Sequence, residues 1–389
     1  MKIIFVLVVS FSQFLMACGS PHPRGDDSIT TNHERLEAHG EYLSLSTSSS
    51  LSAERDLSLR HIATVKPPVV DKLELQATDL HLVGNEAFIS YNFAGETQKG
   101  AIDVIDISKI TNPQMTSSLE LIHHDANAIY QYKDEVFVVG AVDTGGAELL
   151  RVPYKKNLEG DYKAYALSSF AGTDVVVSKD RIFTTTGDQG GLEVFDLSSM
   201  DAESFTAIKD ARGVSVSRTD GSVRVVSGQP ALVSELSERG EVISETKIHG
   251  NWVPESKSTI ESGKTTSIVS LGEQGFAILC NDNNEVLSQI AVKGVTNAVS
   301  YDDGMVYAAN GEAGVEVYFV DREERLSSSK CDKLKISHAG SLRFDPGFSA
   351  NHVVFKKGYL FVASGAGGFK IIQVSKARGP SEFDDFDDD

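Results

Sequence analysis

Seven polar residues sit where short apolar runs begin, and they are the positions at which this chain could do chemistry. They are Asp79, Asn127, Asp174, Arg212, Asn297, Asn351 and His352, with Thr78 and Thr173 beside two of them. Carboxylates, an imidazole and a guanidinium converging on a concave mouth would form a ligand-binding ring. An acid and a base within that ring would serve a hydrolase or a lyase. The same residue types at strand starts also satisfy backbone groups locally, which is the competing reading. His123-His124-Asp125 offers metal-ligand types. Adjacent side chains on a strand point to opposite faces, so the two imidazoles cannot chelate one ion there. The chain has no HExxH, no GxSxG, no P-loop and no dinucleotide fingerprint. No metal site and no cofactor is expected.

Cys18 carries a different chemistry. Met1-Lys2 is a short positive start, and Ile3 to Val9 is unbroken apolar sequence. That stretch is too short to span a bilayer, which takes about 20 apolar residues. It reads as a secretory signal. Leu15-Met16-Ala17-Cys18, followed by Gly19, resembles the bacterial lipobox. The resemblance implies cleavage after residue 17, diacylation of the Cys18 sulfur and, from Gly19, an outer-membrane destination. Each buried CH₂ contributes roughly 0.8 kcal/mol, and two acyl chains suffice for a stable anchor. Residues 18–56, with Pro21, Pro23 and the Ser-rich run Ser44 to Ser52, show no sustained period. They are expected to be a flexible tether, with a reach of roughly 35 Å.

The elements that must position the ring are strands. From residue 57 the chain is a series of short Val-, Ile-, Phe- and Tyr-rich runs broken by Gly, Asn and Asp, the pattern of an all-β protein. One apolar strand recurs seven times, usually behind a glycine, starting at Gly100, Gly146, Gly191, Pro230, Gly275, Gly314 and Gly368. A spacing of about 45 residues is that of one four-stranded propeller blade. A hairpin precedes each copy, as in Asp174-Val175-Val176-Val177 and Arg181-Ile182-Phe183, and a fourth strand follows most of them. Blade five is weakest, its innermost strand being sought between Trp252 and Ile260. The last copy lacks a fourth strand and Leu57 to Val65 lacks a partner. The expected fold is therefore an all-β, seven-bladed β-propeller over 57–375, with four-stranded antiparallel blades, closed by the N-terminal segment as outer strand of the last blade. Four Gly-x-x-Gly segments, at 187–190, 272–275, 311–314 and 365–368, recur between the same two strands and are expected to be connecting turns.

The first unit, Asp79-Leu80-His81-Leu82-Val83-Gly84-Asn85 followed by Gly100 to Asp106 and Ile107-Ser108, resembles the LVIVD repeat of bacterial and archaeal surface-associated propellers. Asp174 to Val177 with Gly191 to Ser198 resembles it too, whereas Phe319 and Gln373 replace the Asp that ends the motif in units six and seven. The resemblance implies a propeller exported to the cell envelope and hands over no active site.

Charge narrows the functions. With 36 Lys+Arg against 55 Asp+Glu the net charge is −19, which repels phosphate backbones and excludes nucleic acid as a partner. Six carboxylates sit in Glu382 to Asp389, within a tail, 376–389, expected to be disordered. A single Trp, Trp252, excludes blade families built on a repeated tryptophan. Cys280, in an apolar strand, is expected to be a small buried hydrophobe, although an oxidising envelope permits a Cys280–Cys331 disulfide. The expected function is a non-enzymatic, membrane-anchored scaffold binding an envelope protein or glycan. The alternatives are an envelope hydrolase or lyase at the channel mouth, and a complex subunit docked through the acidic tail.

Overall fold

Each repeat becomes one antiparallel sheet. In the computed structural model, residues 20–21, 27–46, 57–217, 220–248, 257–302, 304–320 and 334–376 are described. Blade 1 comprises Gln76–Val83, Glu86–Asn92, Gly100–Asp106 and Gln114–Leu121, ordered from the axis outwards. Six more sheets of the same order follow, and in the last one Leu57–Val65 pairs antiparallel with Phe369–Lys376. The ring is a seven-bladed propeller closed by its N-terminal strand. Blade 5 begins with only Ile260–Ser262, which starts at the last residue of the stretch Trp252 to Ile260 where its weak pattern placed the strand.

Among the described residues seven apolar clusters form the core, and each lies on one seam between neighbouring blades. Phe88, Val104 and Leu119 of blade 1 meet Ile129, Val138 and Leu150 of blade 2. Phe183, Leu192 and Val194 of blade 3 meet Val214, Val223 and Leu236 of blade 4. The seam that closes the ring joins Ile62, Phe361 and Ile371 to Leu80, Ile89 and Ile105. The second and third strands of most blades, such as Gly100–Asp106 and Phe276–Cys280, are thus buried on both faces, so they read as continuous apolar runs instead of alternating ones. Outer strands at the rim, such as Ala202–Ala207, alternate.

Two local devices repeat with the blades. The pairing of third and fourth strands slips by one residue after Val104, Val194, Glu235, Ile278, Val317 and Ile371. This bulge adds right-handed twist and fans the blade. The Gly-x-x-Gly turns, as expected, link second and third strands, and Gly187, Gly272, Gly311 and Gly365 bridge to the next blade. Gly275, Gly314 and Gly368 have φ of +79°, +84° and +72°. A Cβ there would lie 2.0–2.1 Å from the outer-strand carbonyls of Ile290, Leu342 and Val65, so glycine is required twice over.

The tether expectation needs correcting for residues 27–46. Ser28–Thr30 adds a strand to the outside of blade 1, Leu36–Ala38 and Tyr42–Leu43 to blade 7, and Leu45–Ser46 to blade 6. Ser20–Pro21 pairs with the outer strand of blade 2. The segment is a strap along the rim. Its strands are two or three residues long, too short to show a period, and their partners supply the order. Cys280 is fully buried and disulfide-bonded, not a thiol. Cys18, Cys331, Trp252 and the acidic tail lie outside the described residues.

Candidate functional site: the polar ring and the axis

The innermost strand of each blade is a sheet edge facing the channel, so its outward N–H groups need partners. At three seams a side chain of the preceding blade supplies one. Asp79 Oδ2 accepts the Ile129 N–H at 3.0 Å, Asp174 Oδ2 the Val214 N–H at 2.9 Å, and Ser300 Oγ the Phe355 N–H at 3.1 Å. At the mouth, side chains donate to carbonyls across the seams. Thr78 Oγ1 reaches Ala126 O at 2.7 Å, Asn127 Nδ2 reaches Gly172 O at 3.0 Å, and Thr173 Oγ1 reaches Ala211 O at 3.0 Å. Asn297 Nδ2 reaches Ala350 O at 3.1 Å and Asn351 Nδ2 reaches Ala77 O at 2.8 Å. Arg212 pairs with Asp210 of its own blade at 2.8 Å.

Three residues of the expected ring converge at the axis with one the sequence reading missed. Lys257 Nζ lies 3.1 Å from Asp79 Oδ1 and donates to Thr78 O at 3.0 Å, while His352 Nδ1 forms a close ion pair with the same carboxylate. Burial works to raise the Asp79 carboxyl, but Lys257, His352 and the Ile129 N–H outweigh it and hold it well below the usual range. Asp174 is pushed up to about 7 by burial and by the charge of Asp79, although the Val214 and Val175 N–H groups and Lys257 oppose this. One carboxylate stays ionised and the other holds a proton near neutrality, the split that acid–base pairs use. Asn127, Asn297, Asn351 and Arg212 join no such cluster, being engaged in seams or with Asp210.

Lys257-Ser258-Thr259 is the entry to blade 5, the one blade for which the sequence offered no ring member. That gap was the available signal. His123 and His124 diverge as expected, to Asp143 and Glu148, each at 2.5 Å. His124 is nevertheless buried. His338 lies 2.5 Å from Glu316.

A second cluster lies at the rim. Strap residues His39 and Glu41 meet His61 of blade 7 on the wall of a cavity of about 610 Å³, which Lys66, Arg343 and Lys370 also line. Sequence reading missed it because two members fall in a segment read as structureless and the third is apart from them by a strand. The His39-x-Glu41 spacing, which puts both side chains on one side of an extended chain, was the only trace.

No family model matches the chain, and no curated protein matches it. Among solved structures it is similar to a catalytically inactive variant of the virginiamycin B lyase from Staphylococcus aureus, solved with quinupristin. The TM-score is 0.60 at 11% identity, covering 82% of this chain and 99% of that one. A computationally designed protein, Ika8, follows with a TM-score of 0.48 at 10% identity, covering 77% of this chain and 96% of that one. The first likeness shows the propeller fold and no more.

Proposed function

We propose that the chain is a lipid-anchored propeller of the bacterial cell envelope that works as a non-enzymatic binding scaffold for an envelope protein or glycan. One observation carries the reading. Most polar groups at the channel entrances, Thr78, Asn127, Thr173, Asn297 and Asn351 among them, are spent on holding blade to blade, which makes the disc a rigid platform. The lipobox-like Leu15 to Cys18 supports the anchor, and the LVIVD-like units support the envelope. Cys18→Ser is expected to release the protein from membranes and to stop labelling by a fatty-acid probe; labelling that persists removes the anchor from the proposal. Crosslinked pull-down from solubilised envelope, with the Cys18→Ser chain as bait, is expected to recover one saturable partner. Recovery of none removes the scaffold.

The split pair Asp79 and Asp174 favours a second reading, an envelope hydrolase or lyase at the axis. It predicts products from extracted envelope glycan, detected by mass spectrometry, that vanish in Asp174→Asn. A scaffold gives no products with either chain.

A further inference from the structure

The register between strap and blade 7 slips where the rim cluster sits. Leu36, Glu37 and Ala38 pair with Val65, Thr64 and Ala63, and then Tyr42 and Leu43 pair with Arg60 and Leu59. Three strap residues, 39 to 41, therefore oppose two, 61 and 62. The bulge is fixed by the His39 N–H donating to Ile62 O at 2.8 Å and the His61 N–H donating to Glu41 O at 2.9 Å. A bulge of this kind re-aims side chains, and here it turns two imidazoles and a carboxylate onto one point. Glu41 Oε1 lies 2.8 Å from His61 Nδ1 and 3.5 Å from His39 Nδ1. Donors bound to one tetrahedral zinc at about 2.0–2.2 Å stand roughly 3.3 Å apart, so these separations bracket the required value.

We propose that His39, Glu41 and His61 bind one divalent transition-metal ion, zinc by preference, which clips the strap to the last blade. Two imidazoles and a carboxylate are the borderline donor set that suits zinc, and three protein ligands leave a position open to the adjoining cavity. The surroundings are prepared. His61 Nε2 is 3.0 Å from Thr64 Oγ1. An Nε2–H donated to that hydroxyl fixes the tautomer that frees Nδ1 for metal. Glu41 Oε2 accepts the Gly40 N–H at 3.1 Å, which orients Oε1 towards the imidazoles. The positive charge of Lys66 nearby is matched by Glu37 at 2.5 Å. The imidazoles now stack at 4.0 Å, 11° from parallel. Coordination would draw the two Nδ1 atoms together and open the stack.

The test uses the full chain with its remaining thiol alkylated and metal removed by chelator. Titration calorimetry with zinc chloride is expected to give one equivalent at micromolar affinity or tighter. Melting temperature should rise with zinc, and cobalt should give the visible absorption of a low-coordinate site. His39→Ala and Glu41→Ala lie on the strap, leave the ring intact and should each weaken binding at least about 100-fold. Thr64→Val should cost about 10-fold or more, as loss of an orienting partner does. Absence of a stoichiometric site overturns the proposal, and so does zinc binding that survives His39→Ala but is lost in His338→Ala. If a strap variant melts early in chelator, the cobalt spectrum of the unsubstituted chain decides: no spectrum overturns the site.

Discussion

Removing Arg35 from the strap should destabilise a blade it does not belong to. The guanidinium lies in the seam beside blade 1, donating to both Asp103 oxygens at 2.9 and 2.6 Å, to Lys66 O at 2.8 Å and to Ser118 Oγ at 3.3 Å. Asp103 has 0% side-chain exposure, in the middle of the strand Gly100–Asp106. Arg35→Ala leaves that charge buried without its cation, which costs about 3–5 kcal/mol. With roughly 300 ordered residues and about 2.1 cal/mol/K of unfolding entropy each, that is a fall in melting temperature of about 5–8 °C. Strap opening should become about 10²- to 5 × 10³-fold more frequent, read as faster proteolytic cleavage between residues 27 and 46 under conditions where opening is rapid. The pair Arg35→Met with Asp103→Leu, which removes both charges, should return close to the parent. Scanning calorimetry and limited proteolysis measure the two effects. An Arg35→Ala chain that melts within about 1 °C of the parent and is cleaved no faster would refute the strap's structural role.

The other predictions address the turns, the seams and the axis. Gly368→Ala should cost several kcal/mol in a urea titration, because its Cβ would meet Val65 O at 2.1 Å at a φ of +72°. Asn351→Ala should cost only about 1 kcal/mol in the same titration, since Ala77 O keeps the Gly365 N–H at 3.2 Å. The Asp174 carboxyl carbon, followed by NMR, should titrate near 7, and Lys257→Met should move the midpoint higher by removing an opposing cation. The sign for stability follows from the direction. An unfolded Asp loses its proton near 3.9, so between about pH 4 and 7 the native state holds a proton that the unfolded state has released. The stability due to this group is therefore full below that window and is lost as pH rises through it.

The ring was legible because its period is written in residues that do not depend on distant partners. Blades 1 and 3 carry the third-strand motif whole, and its last Asp has a local task. Asp196 Oδ1 accepts the N–H groups of Ser198 and Ser199 at 2.9 and 2.8 Å, and Asp106 Oδ1 accepts that of Ser108 at 2.7 Å. Closure by Leu57–Val65 was legible by counting an unpaired strand at each end. The strap was not, because Leu45–Ser46 or Ser28–Thr30 is ordered only by the rim it lies against. Lys257 was hidden for the opposite reason. Its blade has the poorest inner strand, so the entry could not be located, although six entries out of seven implied it. The seven ring positions do not act alike, since position alone does not distinguish a seam donor such as Asn297 from an axial charge such as Asp79.

The strap changes what an anchor at Cys18 would do. A free tether would let the disc tumble roughly 35 Å above the lipid. Ser20 and Pro21 instead pair with Ala164 and Lys163 on the outer strand of blade 2, two residues from the proposed lipid. Two residues extended span at most about 7 Å, so the rim of blade 2 would rest at the headgroups and the disc would stand on edge. Blades 3 and 4, to whose outer strands Ala202–Ala207 and Val242–Lys247 no strand is added among the described residues, would follow round the rim with exposed Phe205, Val242 and Ile243. A fluorophore at Lys163 on the lipidated chain should then be quenched by headgroup-linked quencher, and one at Gln289 of blade 5 much less. Equal quenching at both positions would mean that the strap peels from blade 2 and the long-tether picture holds after all.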